Sequence, residues 1–122
     1  MSVPTNIQKK LWGQTWPLFR DDNLLIMRLL VGAGGYCSEH YHRNRSNLFV
    51  VHHGVLLVRT ETRGGEWETR AITGGQSLLV PTGSVHQFEA RTLVLCDEVY
   101  YPCSGGKIDV NDIVRRTEGG RR

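Results

Sequence analysis

The chain has no long apolar run. Nothing in its 122 residues approaches the ~20 consecutive apolar positions with which a helix spans a bilayer, so no membrane partner is expected. Its opening, MSVPTNIQKKLWG, has no apolar centre of the kind a secretory leader needs, and a cytoplasmic location is the expectation. Cysteine is scarce. Cys37, Cys96 and Cys103 are an odd number without paired spacing, which argues against a disulfide scaffold and for buried or free thiols. No basic patch stands beside aromatic or helical context. The net charge of +3 comes from scattered residues apart from Arg115-Arg116 and Arg121-Arg122, so nucleic acid is not an expected partner. Single arginines that bind a small phosphate or carboxylate account for the charge as well. Helical periodicity is almost missing, and there is no solenoid-type repeat.

What is present is a series of short β-forming runs separated by turn signals. Leu24 to Val31 is an apolar run broken only by Arg28, of strand length. Tyr36 to His42, Asn47 to His52 and Val55 to Glu61 follow, then a hairpin signal at Arg63-Gly64-Gly65-Glu66. Trp67 to Ile72, Ser77 to Val80, Val85 to Phe88 and Thr92 to Tyr100 complete the set. Short strands at this spacing predict an all-β, antiparallel barrel or jelly roll. The length suits one domain, with residues 1–11 as an arm, 12–103 as the barrel and 104–122 as a tail. Asp109 to Arg116 is the one segment where a short helix is expected. Trp12, Trp16 and Phe19 lie on or beside the arm and need cover, which makes a homodimer the expected assembly.

Two Gly-led stretches carry histidines. Gly34 to Gly54 contains His40 and His42, and Gly75 to His86 contains Pro81, Gly83 and His86. Histidines at i and i+2 share one face of a strand. With a third histidine from a later strand they can hold one side of a metal's coordination sphere and leave the other open to water or substrate. Imidazole suits several divalent ions, Zn, Mn, Fe and Ni among them, so the cofactor expected is a divalent metal of undetermined identity held by His40, His42 and His86. His52 and His53 cannot share a strand face, and neither is chosen as a ligand.

The pattern Gly34-(x5)-His40-x-His42-(x4)-Asn47-(x6)-Gly54 resembles the first cupin motif, and Gly75-(x5)-Pro81-x-Gly83-(x2)-His86 the second. Asn47 stands where cupins usually carry a metal-binding glutamate, and Ala90 where the second motif usually ends in asparagine. A narrower resemblance covers most of the chain. Trp12-Gly13, Arg28, Gly34, His42-x-x-Arg45-x-Asn47, Val51 and Gly54 are similar to the cupin domain of type II mannose-6-phosphate isomerases. Asp112-Ile113-Val114-Arg115 and Gly120-Arg121 resemble that family's last residues. That family has glutamine, glutamate and lysine where this chain has His40, Asn47 and Met27, and the guanylyltransferase domain that often precedes the cupin is not expected within these 122 residues.

The resemblance implies a small cupin (jelly-roll, double-stranded β-helix) barrel acting on, or binding, a phosphorylated sugar by aldose–ketose isomerisation. Such a reaction needs a base to move a proton and an electrophile to stabilise the developing charge. His42, Arg115 and Glu98 are the catalytic candidates; Arg28, Arg45 and Asn47 are the substrate-binding ones. For the base, Glu39, Glu89, Glu98 and His52 are all available and spacing selects none of them. Two other readings stand beside this one. A ligand set without a carboxylate suits a three-histidine non-haem iron dioxygenase. Loss of the glutamate at position 47 suits a non-catalytic sugar-binding cupin.

Overall fold

β-branched and aromatic residues bounded by glycine, proline and Asx turns build most of the regular elements among the described residues of this computed structural model, which are 4–103 and 106–122. In chain order the strands are β1 (Gln8–Lys10), β2 (Gly13–Arg20), β3 (Leu25–Val31), β4 (Gly35–Tyr36), β5 (His40–Tyr41), β6 (Arg45–His53) and β7 (Val55–Glu61). They continue as β8 (Trp67–Thr73), β9 (Ser77–Val80), β10 (His86–Ala90), β11 (Val94–Pro102), β12 (Val114–Arg115) and β13 (Gly120–Arg121). One sheet runs β1-β2-β3-β11-β6-β9. The other runs β12-β5-β10-β4-β13, with β7 also on β10 and β8 on β7. Each ladder pair is antiparallel.

The core lies between the sheets. Leu29, Phe49 and Cys96 come from one sheet and Leu56, Val58 and Phe88 from the other, all buried. Phe49 is fully buried and edge-on to Phe88 at 6.0 Å, so Phe49→Ala should cost about 3–5 kcal/mol. Gly54 turns β6 into β7 at φ +88°. A Cβ there would run into the Leu93 carbonyl, so only glycine fits.

Three expectations change. The tail is not helical. From Asp109 to Arg116 it forms turns and then β12, where Val114 pairs with Tyr41 and Arg115 with His40. Local helix preference is weak over so few residues, and ladder bonds to β5 outweigh it. Residues 1–3, 104 and 105, where the expected arm and tail begin, lie outside the described residues. The described part of the arm includes β1, which forms a hairpin with β2. The stretch expected as one strand from Tyr36 to His42 is broken into β4 and β5, with Cys37 to Glu39 between them. Trp12 is buried within the chain itself, edge-on to Phe88 at 5.1 Å, whereas Phe19 is exposed.

Candidate metal centre

β5 and β10 pair so that His86 lies directly opposite His40, and His42 follows β5 on the same side. The ring centroids are 4.4 Å (His40–His86), 5.0 Å (His40–His42) and 5.4 Å (His42–His86) apart. One ligand atom from each ring falls within 4.8 Å of the others. All three residues are buried.

Backbone carbonyls fix each ring. His40 Nδ1 donates to the Ser38 carbonyl at 2.8 Å, His86 Nδ1 to the Ser84 carbonyl at 2.9 Å, and His42 Nδ1 to the Asp112 carbonyl at 2.7 Å. A carbonyl only accepts, so Nδ1 carries the proton in every ring and the Nε2 lone pair is free. Arg45 Nε, 3.3 Å from the same His42 nitrogen, therefore makes a close contact there and not a donated bond. His42 Nε2 and His86 Nε2 are buried with no partner among the described residues. A buried nitrogen left bare in this way costs stability unless something binds it. Burial pushes the His40 and His42 imidazoles down, to about 3 and about 4, and lowers His86 as well. The rings are then neutral across the physiological range, as ligation requires. Neutral imidazoles, oriented from behind and bare in front, fit a divalent transition metal.

The segment from Asp109 to Arg116 braces this centre. Besides the carbonyl bond to His42, the Asp112 carboxylate accepts from the backbone N–H groups of Arg43 and Asn44 at 2.8 and 2.9 Å. The Asp109 carbonyl accepts from Arg45 Nη1 at 3.2 Å, and Arg116 N–H reaches the Glu39 carbonyl at 2.7 Å.

A cavity of about 790 Å³ opens beside His40. His40, Arg45, Glu98, Tyr100 and Arg115 form its polar side, and Trp12, Leu25, Met27, Leu29 and Phe88 its apolar side. Glu98 lies on the inward face of β11, two residues before Tyr100. Its Oε2 accepts from the Tyr100 hydroxyl at 2.6 Å and from Asn47 Nδ2 at 3.0 Å, which leaves Oε1 to the cavity. Burial raises the Glu98 carboxyl above its ordinary value against the pull of Tyr100, Arg45 and Asn47. The Arg45 guanidinium carbon sits 4.2 Å from the Tyr100 ring centre, and the Tyr100 ring is 5.6 Å from that of His42.

The structure thus brings His40, His42, His86, Arg45, Asn47, Glu98 and Arg115 to one end of the barrel interior or its rim. It does not bring Arg28 there. Arg28 alternates with the cavity-lining Met27 and Leu29, so it points to the outer face of β3. There Nε and Nη2 bond the two oxygens of Asp97 at 2.8 and 3.1 Å. His52 bonds Asp97 on the same outer face at 2.8 Å. Glu89 is taken by Arg59 and Arg122. Cys37 and Cys96 are buried thiols that burial pushes up, unsuited to nucleophilic work. Tyr100 and Asp112 are site residues that sequence reasoning missed. Alternation with Glu98 could have found Tyr100; no local signal marks a carbonyl 70 residues from the ring it holds.

No protein-family model matches the chain. An uncharacterized Bacillus subtilis (strain 168) protein, YdbB, is 36% identical over 74 residues, which are 59% of this chain and 61% of YdbB. Solved structures match more broadly at low identity. Capsular polysaccharide assembling protein CapF from Staphylococcus aureus aligns with a TM-score of 0.75 at 17% identity, over 93% of this chain and 34% of CapF. Oxalate decarboxylase from Bacillus subtilis aligns at 0.77 and 14%, over 92% of this chain and 30% of the decarboxylase. KdgF from Halomonas sp. aligns at 0.66 and 18%, over 84% and 86% of the two chains. The chain therefore spans about a third of the first two structures and about three fifths of YdbB. It has the cupin fold, with a three-histidine cluster able to bind a metal ion.

Proposed function

We propose that the protein is a metal-dependent cupin enzyme that interconverts an aldose and a ketose carrying a phosphate. The observation that carries this is Glu98. A buried carboxyl lines the cavity beside His40, with one oxygen held by Tyr100 and Asn47 and the other free to meet a substrate. A bound divalent ion supplies Lewis acidity that stabilises negative charge developing on the substrate oxygens. Glu98 Oε1 takes the proton from C2 and returns it to C1. The balancing proton moves from the C2 hydroxyl to the C1 oxygen. Tyr100 keeps the carboxyl in one rotamer throughout. Arg115, exposed at the rim on β12, meets the phosphate, and the buried Arg45 offers N–H groups further in. The name of CapF, a capsular polysaccharide assembling protein, supports carbohydrate chemistry on this fold.

A second reading is favoured by a different observation. Three neutral histidines, with no carboxylate among the clustered groups, stand together, and the cavity that His40 lines is apolar on its other side. That combination suits a ferrous dioxygenase. A coupled assay from mannose 6-phosphate to fructose 6-phosphate separates the two. Metal-stripped protein is reconstituted in turn with Zn, Mn, Co and Fe(II). Turnover that needs metal and disappears in His42→Ala supports the isomerase. Folded protein that turns nothing over with any metal sinks it. Oxygen uptake with Fe(II) alone would then favour the dioxygenase, and neither activity would leave a binding protein.

A further inference from the structure

The six-stranded sheet turns Leu29, Phe49 and Cys96 into the core, and alternation turns their neighbours outward. On that outer side five apolar residues stand in one row across five strands. Phe19 of β2 pairs with Ile26 of β3, Ile26 with Val99 of β11, Val99 with Leu48 of β6, and Leu48 with Leu79 of β9. Phe19 and Leu79, at the two ends, are 48% and 49% exposed. One step along the strands, Trp16, Arg28, Asp97 and Val50 form a second row, and a further step sets Leu30 beside Leu95.

The outer side of the other sheet is built differently. Across β8, β7 and β10 it runs Thr69, Arg59, Gln87, and its charges pair along the surface, Arg59 with Glu89 and Glu61 with Arg116. That is the polar face which an antiparallel sheet turns to water. An apolar row across five strands is instead the pattern of a face that is covered.

Charge, size and symmetry say by what. The charged groups of the block, Arg28 and Asp97, bond each other, with His52 on the same carboxylate, whereas the chain as a whole carries +3. An acidic or basic partner finds no opposite charge to recognise there, and a second copy meets no like-charge repulsion. The block spans about 19 Å between its outer strands and about 14 Å between its outer rows. With a side chain's width around it, it offers on the order of 700 Å² per copy, near the ~800 Å² per partner of a standard interface. Val99 stands at the centre of the row with two apolar residues on either side. A two-fold axis along β11 therefore lays apolar on apolar for the row's whole length.

We propose that the outer face of the six-stranded sheet is the interface of a homodimer, in which two copies pack face to face about Val99. Trp12, buried within its own chain, takes no part. The metal centre lies on the other side of the sheet, so the proposal does not depend on the reaction.

Sedimentation equilibrium of the full chain from about 1 to 100 µM tests this, with circular dichroism melts confirming that each variant is folded. Wild type should show twice the monomer mass. Leu79→Glu, on a half-exposed edge position, should raise the dimer Kd at least tenfold, because the change is made on both copies. Val99→Lys, at the centre, should leave only monomer across the range. Trp67→Glu, on β8 of the other sheet, should leave the dimer as it is in wild type. If Val99→Lys fails to fold, Leu79→Glu and Phe19→Glu at the two ends of the row decide. Wild type that is monomeric throughout overturns the proposal and gives the face to a different protein or to a further segment of a longer chain. A mass that climbs past two copies overturns it too, since a two-fold interface closes at two. So do Leu79→Glu and Phe19→Glu variants that dimerise like wild type, which would put the interface elsewhere.

Discussion

Asp97 and Glu98 are neighbours on β11 and share almost nothing else. Asp97 faces outward, where Arg28 grips both its oxygens and His52 adds a third bond. Burial by itself would raise its carboxyl, but the bonds from Arg28 and His52 outweigh that and hold it below its ordinary value. Glu98 faces inward, takes two neutral donors on one oxygen, and is raised by burial. One carboxylate is taken up by Arg28 and His52 and works as a structural clamp between β3, β11 and β6. The other keeps an oxygen uncommitted beside a cavity. The contrast separates a group that holds the sheet from a group available for chemistry, one residue apart on one strand.

The largest expected effect is on turnover. Glu98→Gln should lower kcat by about 10²–10⁴ under saturating metal, while the thermal melt stays close to wild type. A variant that kept full kcat would move Glu98 to the structural side of the comparison. Asp97→Asn should do the reverse. Steady-state activity should survive while chemical denaturation shows a loss of about 1.5–3 kcal/mol, since charged hydrogen bonds to a largely buried carboxylate are lost. The arginines repeat the pattern more weakly. Arg45→Gln should raise KM by roughly tenfold, the worth of about one charge-assisted hydrogen bond, and Arg28→Gln should leave KM unchanged. The smallest effect is in acid. The folded Asp97 carboxyl sits below its unfolded value, so its contribution is complete above the ordinary aspartate value of 3.8 and is lost as pH falls through the folded value. Melts followed from pH 5 down to pH 2 should therefore show a shallower decline in Asp97→Asn than in wild type.

The parts of this site that depend on neighbours in sequence were legible. The i, i+2 spacing of His40 and His42 puts both on one side of β5 and the residue after it, and a Gly-led stretch carries His86. What depends on register was not. Arg28 finds Asp97 69 residues away, and only the pairing of β3 with β11 shows that both face outward. Glu98 could not be chosen over Glu89 from spacing, because the choice turns on which one meets cations. Glu89 meets two, Arg59 and Arg122. The tail was misread as helix for the same reason: Val114 and Arg115 are strand only because Tyr41 and His40 lie beside them. Asn47 was visible as a departure from the cupin pattern. The bond that aims its amide comes from a neighbouring strand, and no pattern in β6 encodes it.

As the chain is synthesised, His40, His42 and His86 leave the ribosome well before Asp112. Until the segment from Asp109 to Arg116 has crossed β5, His42 lacks the carbonyl that aims its ring, and Arg45 lacks the one that holds its guanidinium. A partly made chain therefore presents loose imidazoles, which bind divalent cations by intrinsic affinity and favour copper over the others. Discrimination by shape begins only when the late segment docks.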